Sequence, residues 1–338
     1  MKIFENFSLK NFNTFALNHK CKVFIEIEYP EEIYSINKKF NLSKSRFLVL
    51  GEGSNILLTK DFDGFVLHPQ FRKINQTRED KDYIYFEVEA GVNWDEFVKF
   101  SVSKNLGGVE NLISIPGLVG AAPIQNIGAY GQEIKDVIES VNFFDFSDNV
   151  FKTYSNQKCK FEYRNSIFKQ ELKNKILITS VELKLNKNPE PNIDYADVKN
   201  EFKKMKIENP TIQQVSEIIS KIREIKLPSP KEIGNAGSFF KNPILDIKKL
   251  EIIRKNFGEI PFFKLDENFV KIPAAWLIEK IGYKGKTKGN VGTYYKQPLV
   301  LINLGNATGE EVLNFANEIK DKVFSVFDIE LETEVNIL

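Results

Sequence analysis

The segment Ser114–Gln132 contains the first residues whose type and spacing suggest chemistry. Its four glycines, Gly117, Gly120, Gly128 and Gly131, alternate with small and branched apolar residues that can be buried. A flexible linker would be rich in serine instead, so this segment is predicted to be ordered backbone. Glycine allows close approach and positive φ, and amide groups in such turns bind anions. The segment therefore predicts a site for a phosphate-bearing cofactor.

A second glycine turn, Gly51–Asn55 (GEGSN), follows the strand-like apolar run Arg46–Leu50. Its spacing resembles half of a dinucleotide-binding fingerprint, but no third glycine follows, and Ile56–Leu58 continues as another apolar run. The turn is therefore neither a Rossmann loop nor a Walker loop. A hairpin connection and a ligand site are both compatible with it.

Helix caps and apolar periodicity predict the elements that must position these turns. Asn93 with Glu96 is predicted to begin a helix over 94–105, and Thr211 with Gln214 begins another whose apolar stripe belongs to the core. Further helices are predicted over 31–40, over 273–281 and from residue 308 onward. The predicted strands are 23–28, 46–50, 56–58, 83–90, 141–146, 175–184, 299–303 and 329–338. Because strands outnumber helices before residue 186, that part is predicted to be an α+β domain with a mixed or antiparallel sheet.

Length, composition and charge limit the class of protein. A chain of 338 residues predicts about two or three domains, and 42% hydrophobic with 28% charged residues is typical of a soluble globular protein. The formal net charge of +1 gives no electrostatic footprint for nucleic acid or anionic lipid. The amino terminus has no continuous apolar signal region and no later run approaches the length of a membrane span. We therefore expect a cytoplasmic protein.

Cysteine and histidine usage excludes several kinds of site. The two cysteines, Cys21 and Cys159, form no CxxC pair, which indicates buried or idle thiols and neither a disulfide framework nor a zinc site. His19 and His68 are the only histidines, so most metal sites and a Ser-His-Asp hydrolase are not expected. An enzyme with this sequence would use other residues for acid–base work.

Five motifs spread over almost the whole chain together resemble one family, the UDP-N-acetylenolpyruvoylglucosamine reductases. They occur in the family's order and are Leu50–Asn55, Ile115–Gly131, Tyr163–Ser166, Gly234–Pro243 and Glu332–Val335. Each motif alone is weak, whereas the set is highly specific. The resemblance implies a flavoenzyme that uses NADPH to reduce the enolpyruvyl ether of UDP-N-acetylglucosamine enolpyruvate to UDP-N-acetylmuramate for peptidoglycan. Its partners would be these small molecules, with no nucleic acid and no membrane, and the enzyme is expected to be monomeric.

The resemblance also implies a fold. It is the α+β FAD-binding fold of the PCMH type, with two subdomains that contain mixed or antiparallel sheets, followed by a third α+β domain that binds the substrate. The expected boundaries are 1–69 and 70–226 for the two FAD-binding subdomains and 227–328 for the substrate-binding domain, with the strand 329–338 packing back on the second subdomain. The residues implied to hold FAD, through backbone N–H groups or side chains, are Gly51, Gly53, Ser54, Asn55, Gly117, Gly120, Ala122, Gln125, Asn126, Gly128 and Tyr130. For Tyr130, a flavin contact and simple packing both remain open.

Three residues match the family's catalytic positions: Ser238 as proton donor, and Arg164 and Glu334 as electrophilic partners. The resemblance implies that a hydride passes from NADPH to N5 of FAD and then to the vinyl carbon, while negative charge develops on the adjacent carboxylated carbon. Arg164 would pair with that charge, Glu334 would have to hold or share a proton, and Ser238 would protonate the carbon. Without the resemblance, Ser238 is an ordinary turn residue, Arg164 a surface cation and Glu334 part of a solvated strand face.

Five further residues match positions that contact the substrate, namely Tyr195, Lys226, Asn242, Lys284 and Gln297. Tyr195 matches the tyrosine that the longer-chain variety of the family places over the bound substrate, so its presence indicates that variety. Lys226 and Asn242 match positions that hold the nucleotide phosphates or uracil. Lys284 and Gln297 flank a loop that is expected to contact the UDP portion, and two of the loop's three lysines, Lys284, Lys286 and Lys288, are expected to be solvated.

The sequence departs from the family pattern at two positions and leaves two other classes of protein open. Asn165 stands where Asp is common, which is expected to change the orientation of Arg164, and Leu118 is bulkier than the usual Thr or Cys, which affects packing. Another FAD-linked oxidase or dehydrogenase of the same fold would lack the motifs at 234–243 and 332–335. A non-catalytic flavin or sugar-nucleotide binder would need no set of catalytic residues.

Overall fold

Seven α-helices form in the computed structural model, which describes every residue from Met1 to Leu338. In chain order the helices are α1 Glu32–Phe40, α2 Trp94–Ser103, α3 Ala196–Met205, α4 Ile212–Lys226, α5 Ile247–Phe257, α6 Ala274–Lys280 and α7 Gly309–Phe327. None of the seven combines the length and the apolar composition that a bilayer crossing requires.

Side-chain caps begin three helices where the sequence predicts them. The side chain of Asn93 accepts from the Glu96 amide at 3.0 Å in front of α2, Thr211 exchanges hydrogen bonds with Gln214 before α4, and a capping box at Thr308 begins α7. Helices α3 and α5 are additional to the predicted set. Each buries only two residues in an otherwise polar, lysine-rich segment, so its apolar stripe is too thin to stand out from the sequence.

Twenty strands accompany the helices. In chain order they are β1 Lys2–Ser8, β2 Lys20–Ile27, β3 Phe47–Val49, β4 Ile56–Leu57, β5 Phe62–Pro69, β6 Ile74–Glu79, β7 Tyr83–Glu89, β8 Gly128–Ala129, β9 Gln132–Glu133, β10 Ile138–Asp145, β11 Val150–Ser155, β12 Ile176–Asn186, β13 Gly234–Ser238, β14 Ile244–Asp246, β15 Phe263–Lys264, β16 Phe269–Lys271, β17 Thr287–Lys288, β18 Val291–Thr293, β19 Val300–Asn303 and β20 Asn336–Ile337.

The first of two units in the chain comprises Met1–Phe7, Lys20–Glu52 and Phe62–Ile225. One of its sheets has the order β1-β2-β5-β3, in which β5 is parallel to both β2 and β3. The other has the order β11-β10-β12-β7-β6 and is antiparallel throughout. One core joins residues of β7, α2, β10, β12 and α4 to Val119 and Ala122 of the glycine-rich segment, so that segment is ordered, as its composition predicts.

The second unit is assembled from three parts of the chain, Ser8–His19, Gly53–Asp61 and Lys226–Leu338. Its sheets have the orders β13-β19-β18-β17, β14-β16-β15 and β20-β4. Helices α5, α6 and α7 contribute to one core that also includes Phe15 and Leu57 from the two amino-terminal parts. Residues from all three parts therefore bury one another.

The carboxyl-terminal strand pairs with a strand near the amino terminus. β20 lies parallel to β4, with Asn336 opposite Ile56, and Leu331 and Val335 are buried in the core of the second unit. Regular strand is confined to Asn336–Ile337, and the expectation that 329–338 packs on residues 70–226 stays a prediction. The alternating apolar residues of 329–338 predict that one side of this segment is buried. Nothing in the local sequence identifies which part of the protein covers that side.

The domain boundaries expected from the sequence compare unevenly with the two units. The boundary after residue 226 lies beside Lys226, where the longest part of the second unit begins. The boundary between 69 and 70 lies inside the first unit. The division into two subdomains and a third domain stays a prediction.

Candidate active site

Within the first unit, the two glycine turns that the sequence singled out are in direct contact. A methyl group on Gly51 would lie 3.2 Å from Cγ of Leu118, so Leu118 packs onto the turn that follows β3. The Glu52 carboxylate accepts from the Asn93 side-chain amide at 2.7 Å and from the Gly117 backbone amide at 2.8 Å. Glu52 is absent from the residues predicted for the site, because its two partners lie far away in the sequence.

Gly117 and Gly120 shape the turn of the glycine-rich segment through the protein's own hydrogen bonds. Gly117 has φ +126°, and its carbonyl accepts from the Trp94 amide at 2.9 Å. A Cβ on Gly120 would lie 2.5 Å from that of Ala90, so only glycine fits there. The amides of Gly120 and Ala122 donate to carbonyls of the chain, at 3.0 and 3.1 Å. These predicted cofactor residues therefore supply shape, and their N–H groups are not free to bind an anion.

The side chain of Asn126 also forms hydrogen bonds within the protein itself. It is fully buried, and its side-chain amide donates to the Glu133 carboxylate and the Glu162 carbonyl, both at 3.0 Å. Its side-chain oxygen accepts from the Lys135 amide at 3.1 Å. Both N–H donors of this side chain are used within the protein, so the predicted contact with FAD would need the second acceptor position of its oxygen; it stays a prediction.

Three cations hold the glycine-rich segment, two from the loop between β11 and β12 and one from α4. Nη2 of Arg164 donates to the Gly128 carbonyl at 2.7 Å, and Nζ of Lys169 donates to Oε1 of Gln125 at 3.4 Å. Nε of Arg223 in α4 donates to the Ser114 carbonyl at 3.2 Å. Sequence reasoning missed Lys169 and Arg223. The only feature of the sequence that could have pointed to one of them is that Lys169 lies five residues after Arg164.

Arg164 is held in an unusual backbone conformation. Its φ of +53° lies in the left-handed region, which costs a non-glycine residue about 1 kcal/mol. Nζ of Lys169 donates to its carbonyl at 3.3 Å, and the Gly128 carbonyl fixes its guanidinium. The neighbouring Asn165 bonds Glu162 and Gln170 instead, both at 3.0 Å. Asn165 is therefore placed to affect Arg164 through this turn and not through its guanidinium.

Two tyrosines of the predicted set meet in the first unit. The rings of Tyr130 and Tyr195 pack edge to face with centroids 5.1 Å apart. The side-chain amide of Asn111 donates to the carbonyls of Tyr130 and Asn192, both at 2.9 Å, which joins the two loops that carry the rings. Burial raises the pKa of Tyr130 to about 12 despite a hydrogen bond with Arg223, and burial also raises the pKa of Tyr195. Both tyrosines are therefore neutral at physiological pH.

Ser238 and Glu334 lie on adjacent segments of the second unit. Ser238 ends β13 opposite Val300, just after Gly237, whose φ is +67° and whose amide donates to the Asn235 side chain at 3.0 Å. The Glu334 amide donates to the Phe239 carbonyl at 2.8 Å. The structure therefore brings together two of the three predicted catalytic residues by backbone pairing, and Arg164 belongs to the first unit.

The remaining part of the GEGSN turn also belongs to the second unit. Gly53 has φ +64°, and a Cβ there would lie 2.1 Å from the Phe12 carbonyl oxygen. The Asn55 carbonyl accepts from both the backbone and the side-chain amide of Asn336 at 3.1 Å, and the Asn55 side chain donates to the Glu334 carbonyl at 3.4 Å. Ser54 is half-buried between them. These predicted cofactor residues thus also anchor the segment that carries Glu334.

The predicted substrate residues of the second unit lie at element ends and loops. Oδ1 of Asn242 accepts from the Ala274 amide at 2.9 Å and so caps α6. Nζ of Lys284 pairs with Glu279 at 2.9 Å, and Gln297 lies in the turn between β18 and β19. Lys226 is the last residue of α4.

The loop after Lys284 carries exposed lysines that are paired within the chain. Lys286 and Lys288 both face Glu318 of α7, and the hydroxyl of Tyr283 also donates to this carboxylate. The hydrogen bonds from Lys288 and Tyr283 lower the pKa of Glu318. The loop is therefore tied to α7 by one carboxylate, and all three of its lysines are exposed, where two were expected to be.

The donors of the first unit fit an FAD-type cofactor. Arg164, Lys169 and Arg223 each donate a hydrogen bond to the glycine-rich segment and bring three positive charges to it, which suits a ligand that carries two phosphates. Residues 21–153 match the family described as FAD binding domain. The chain therefore falls in the class of FAD-binding flavoproteins with an α+β architecture.

Comparison with known proteins identifies the family within that class. Residues 229–338 match the C-terminal domain of UDP-N-acetylenolpyruvoylglucosamine reductase. The chain is 47% identical to the reductase of that name from Flavobacterium johnsoniae over the full length of both chains, and 39% identical to that from Pseudomonas aeruginosa over 100% of this chain and 99% of the relative. The chain belongs to the UDP-N-acetylenolpyruvoylglucosamine reductase family.

The fold agrees with a solved member of the family. The crystal structure of the reductase from Thermus caldophilus superposes with a TM-score of 0.68 at 23% identity, covering 99% of this chain and 98% of that one. The fold class expected from the sequence is confirmed, with an FAD-binding domain followed by the family's C-terminal domain.

Proposed function

We propose that this protein is an NADPH-dependent reductase that converts UDP-N-acetylglucosamine enolpyruvate to UDP-N-acetylmuramate, a step of peptidoglycan precursor synthesis. The observation that carries the proposal is the similarity to the Flavobacterium johnsoniae reductase over the whole of both chains. The match of residues 229–338 supports it, because another FAD-linked oxidase or dehydrogenase would share only the cofactor-binding half.

The proposed reaction sets two tasks for the side chains. FAD, when bound, supplies the hydride chemistry that links NADPH to the vinyl carbon of the substrate. In total, one hydride adds to the vinyl carbon, one proton adds to the adjacent carboxylated carbon, and NADPH is oxidised. The chain must therefore stabilise negative charge beside the substrate carboxylate and deliver one proton.

Arg164 is proposed to stabilise the developing charge. Its guanidinium is held at the Gly128 carbonyl and its backbone by Lys169, so little reorganisation is needed when charge appears. Preorganised donors of this kind account for large rate effects in enzymes. The support for this role is the fixed orientation of a permanently charged group in the cofactor-binding unit.

Ser238 and Glu334 are proposed to share the proton chemistry. Ser238 would protonate the carboxylated carbon, and Glu334 would assist by holding or sharing a proton. A serine hydroxyl is a weak acid, so it needs a partner or an ordered water to recover its proton. The pairing of the Glu334 amide with the residue after Ser238 supports joint action, because it places both residues on adjacent segments.

The nucleotide contacts are proposed on the same basis. We assign Lys226 and Asn242 to the nucleotide phosphates or uracil, the loop flanked by Lys284 and Gln297 to the UDP portion, and Tyr195 to a position over the bound substrate. The Asn242 side-chain oxygen is taken by α6, so its NH₂ group is the part that would donate to a phosphate or to uracil. Tyr195 further leads us to propose the longer-chain variety of the family, and we propose that the protein is a cytoplasmic monomer.

The test follows NADPH absorbance with purified holoprotein. Oxidation should be strongly stimulated by UDP-N-acetylglucosamine enolpyruvate and not by UDP-N-acetylglucosamine, which lacks the double bond. A yellow protein that oxidises NADPH equally with either compound would contradict the assignment and favour a different FAD-linked oxidase. A protein that binds both ligands without oxidising NADPH would favour a non-catalytic binder.

A further inference from the structure

We propose that Glu52 is the positioning residue that sets the two glycine turns of the FAD site against each other. One carboxylate oxygen, Oε1, accepts from the Asn93 side chain at 2.7 Å, and the other, Oε2, accepts from the Gly117 amide at 2.8 Å. Each oxygen thus takes one donor, and both donors lie in the segment from Asn93 to Gly117.

The charge and shape of a carboxylate explain why this position carries glutamate. A carboxylate has acceptors only, whereas an amide side chain would turn an NH₂ group toward one of the two donors. Hydrogen bonds to an ionised acceptor are shorter and stronger than neutral ones, in agreement with the distances at Glu52. Asn93 also begins α2, whose positive N-terminal end favours a nearby negative charge.

Both partners of Glu52 are fixed at their other ends. Oδ1 of Asn93 accepts from the Glu96 amide at 3.0 Å, so only the NH₂ group of Asn93 faces Glu52. The Gly117 carbonyl accepts from the Trp94 amide at 2.9 Å. Glu52 therefore fixes the Gly51–Asn55 turn against the start of α2 and the turn at Gly117, which other hydrogen bonds already hold in place.

The contact between Leu118 and Gly51 limits how closely the two turns approach each other. Leu118, which follows Gly117, packs onto Gly51 at the distance where one added methyl group would crowd it. The inference rests on FAD as the cofactor and does not depend on the substrate or on the catalytic roles proposed above.

The experiment compares FAD affinity in Glu52→Gln with that in the matched control Glu96→Gln, in which an exposed glutamate of the same region loses its charge. Stripped protein is titrated with FAD, and the quenching of flavin fluorescence gives Kd. We expect Kd to rise about tenfold or more in Glu52→Gln, since one donor is left facing a donor, and to stay unchanged in Glu96→Gln. Hydrogen exchange at the Gly117 amide should be faster in Glu52→Gln only.

A second variant covers the case in which Glu52→Gln does not fold. Asn93→Ser keeps a capping hydroxyl for α2 but removes the NH₂ donor to Glu52, so it should fold and bind FAD several-fold more weakly. Wild-type FAD affinity in Asn93→Ser, or in a folded Glu52→Gln protein, would overturn the proposal. Since FAD binding is measured without substrate, this result is independent of whether the proposed reaction is correct.

Discussion

The backbone amide of Glu334 donates to the carbonyl of Phe239 at 2.8 Å, so Glu334 lies across from the residue that follows Ser238. On one side the pairing continues with a bridge between Phe240 and Thr333. Because Phe239 and Phe240 are fully buried, the two segments cannot shift against each other without disturbing the core. The spacing between the backbones of Ser238 and Glu334 is thus set by hydrogen bonding and by the core.

Replacement of the proposed proton donor should separate the two half-reactions. In Ser238→Ala we expect NADPH to bleach the flavin at the wild-type rate, while its reoxidation by the enolpyruvyl substrate slows by about 10²-fold or more, because only the second step consumes the proton. Stopped-flow absorbance measures each step alone, with the exposed Ser229→Ala as control. Equal slowing of both steps would remove Ser238 from this role.

Glu334→Gln should show the same separation without the loss of packing. Glutamine keeps the size of the side chain and the backbone pairing, but it cannot exchange a proton, so the reoxidation step should slow by about 10²-fold. Thermal unfolding should match that of Glu330→Gln, an exposed position on the same segment. Wild-type turnover in Glu334→Gln would show that the carboxyl group has only a structural role.

Arg164→Lys tests whether geometry matters as well as charge. Lysine keeps the positive charge but has no planar fork of N–H groups, so it cannot hold the Gly128 carbonyl and face the substrate at once. We expect reoxidation to slow by about 10²-fold, with FAD content unchanged. Arg72→Lys, at an exposed arginine, is the control, and an Arg164→Lys enzyme as fast as this control would show that a point charge is enough.

The stability of the protein at alkaline pH should depend on the raised pKa of the buried Tyr130. Its pKa is raised from 10.0 to about 12 by burial, so in this range the unfolded chain loses a proton that the folded chain keeps. The resulting stabilisation is fully present below pH 10.0 and is lost as the pH rises toward about 12. Urea unfolding should therefore show a steeper loss of stability in this range for the wild type than for Tyr130→Phe. Tyr29→Phe, at an exposed tyrosine, should retain the wild-type slope.

Local sequence signals predicted the elements, and long-range contacts decided the details of the site. The caps at Asn93 and Thr308 could be read directly, since each side chain bonds an amide three residues on. Glu52, Lys169 and Arg223 could not be assigned, because their partners are distant in sequence or belong to a neighbouring loop. The assignment of Ser238, Arg164 and Glu334 depended on the family motifs, since the residue types alone fit turns and surfaces equally well.

The composition of the second unit bears on how this protein can be divided. Its core includes Phe15, Leu17 and Leu57, and β4 supplies the partner of the last strand. A fragment beginning near residue 226 would lack all of these residues and would expose the apolar surface they cover. The carboxyl-terminal half is therefore not a module that can be transferred alone to another protein. Its folding depends on contacts between residues that are separated by nearly the whole chain.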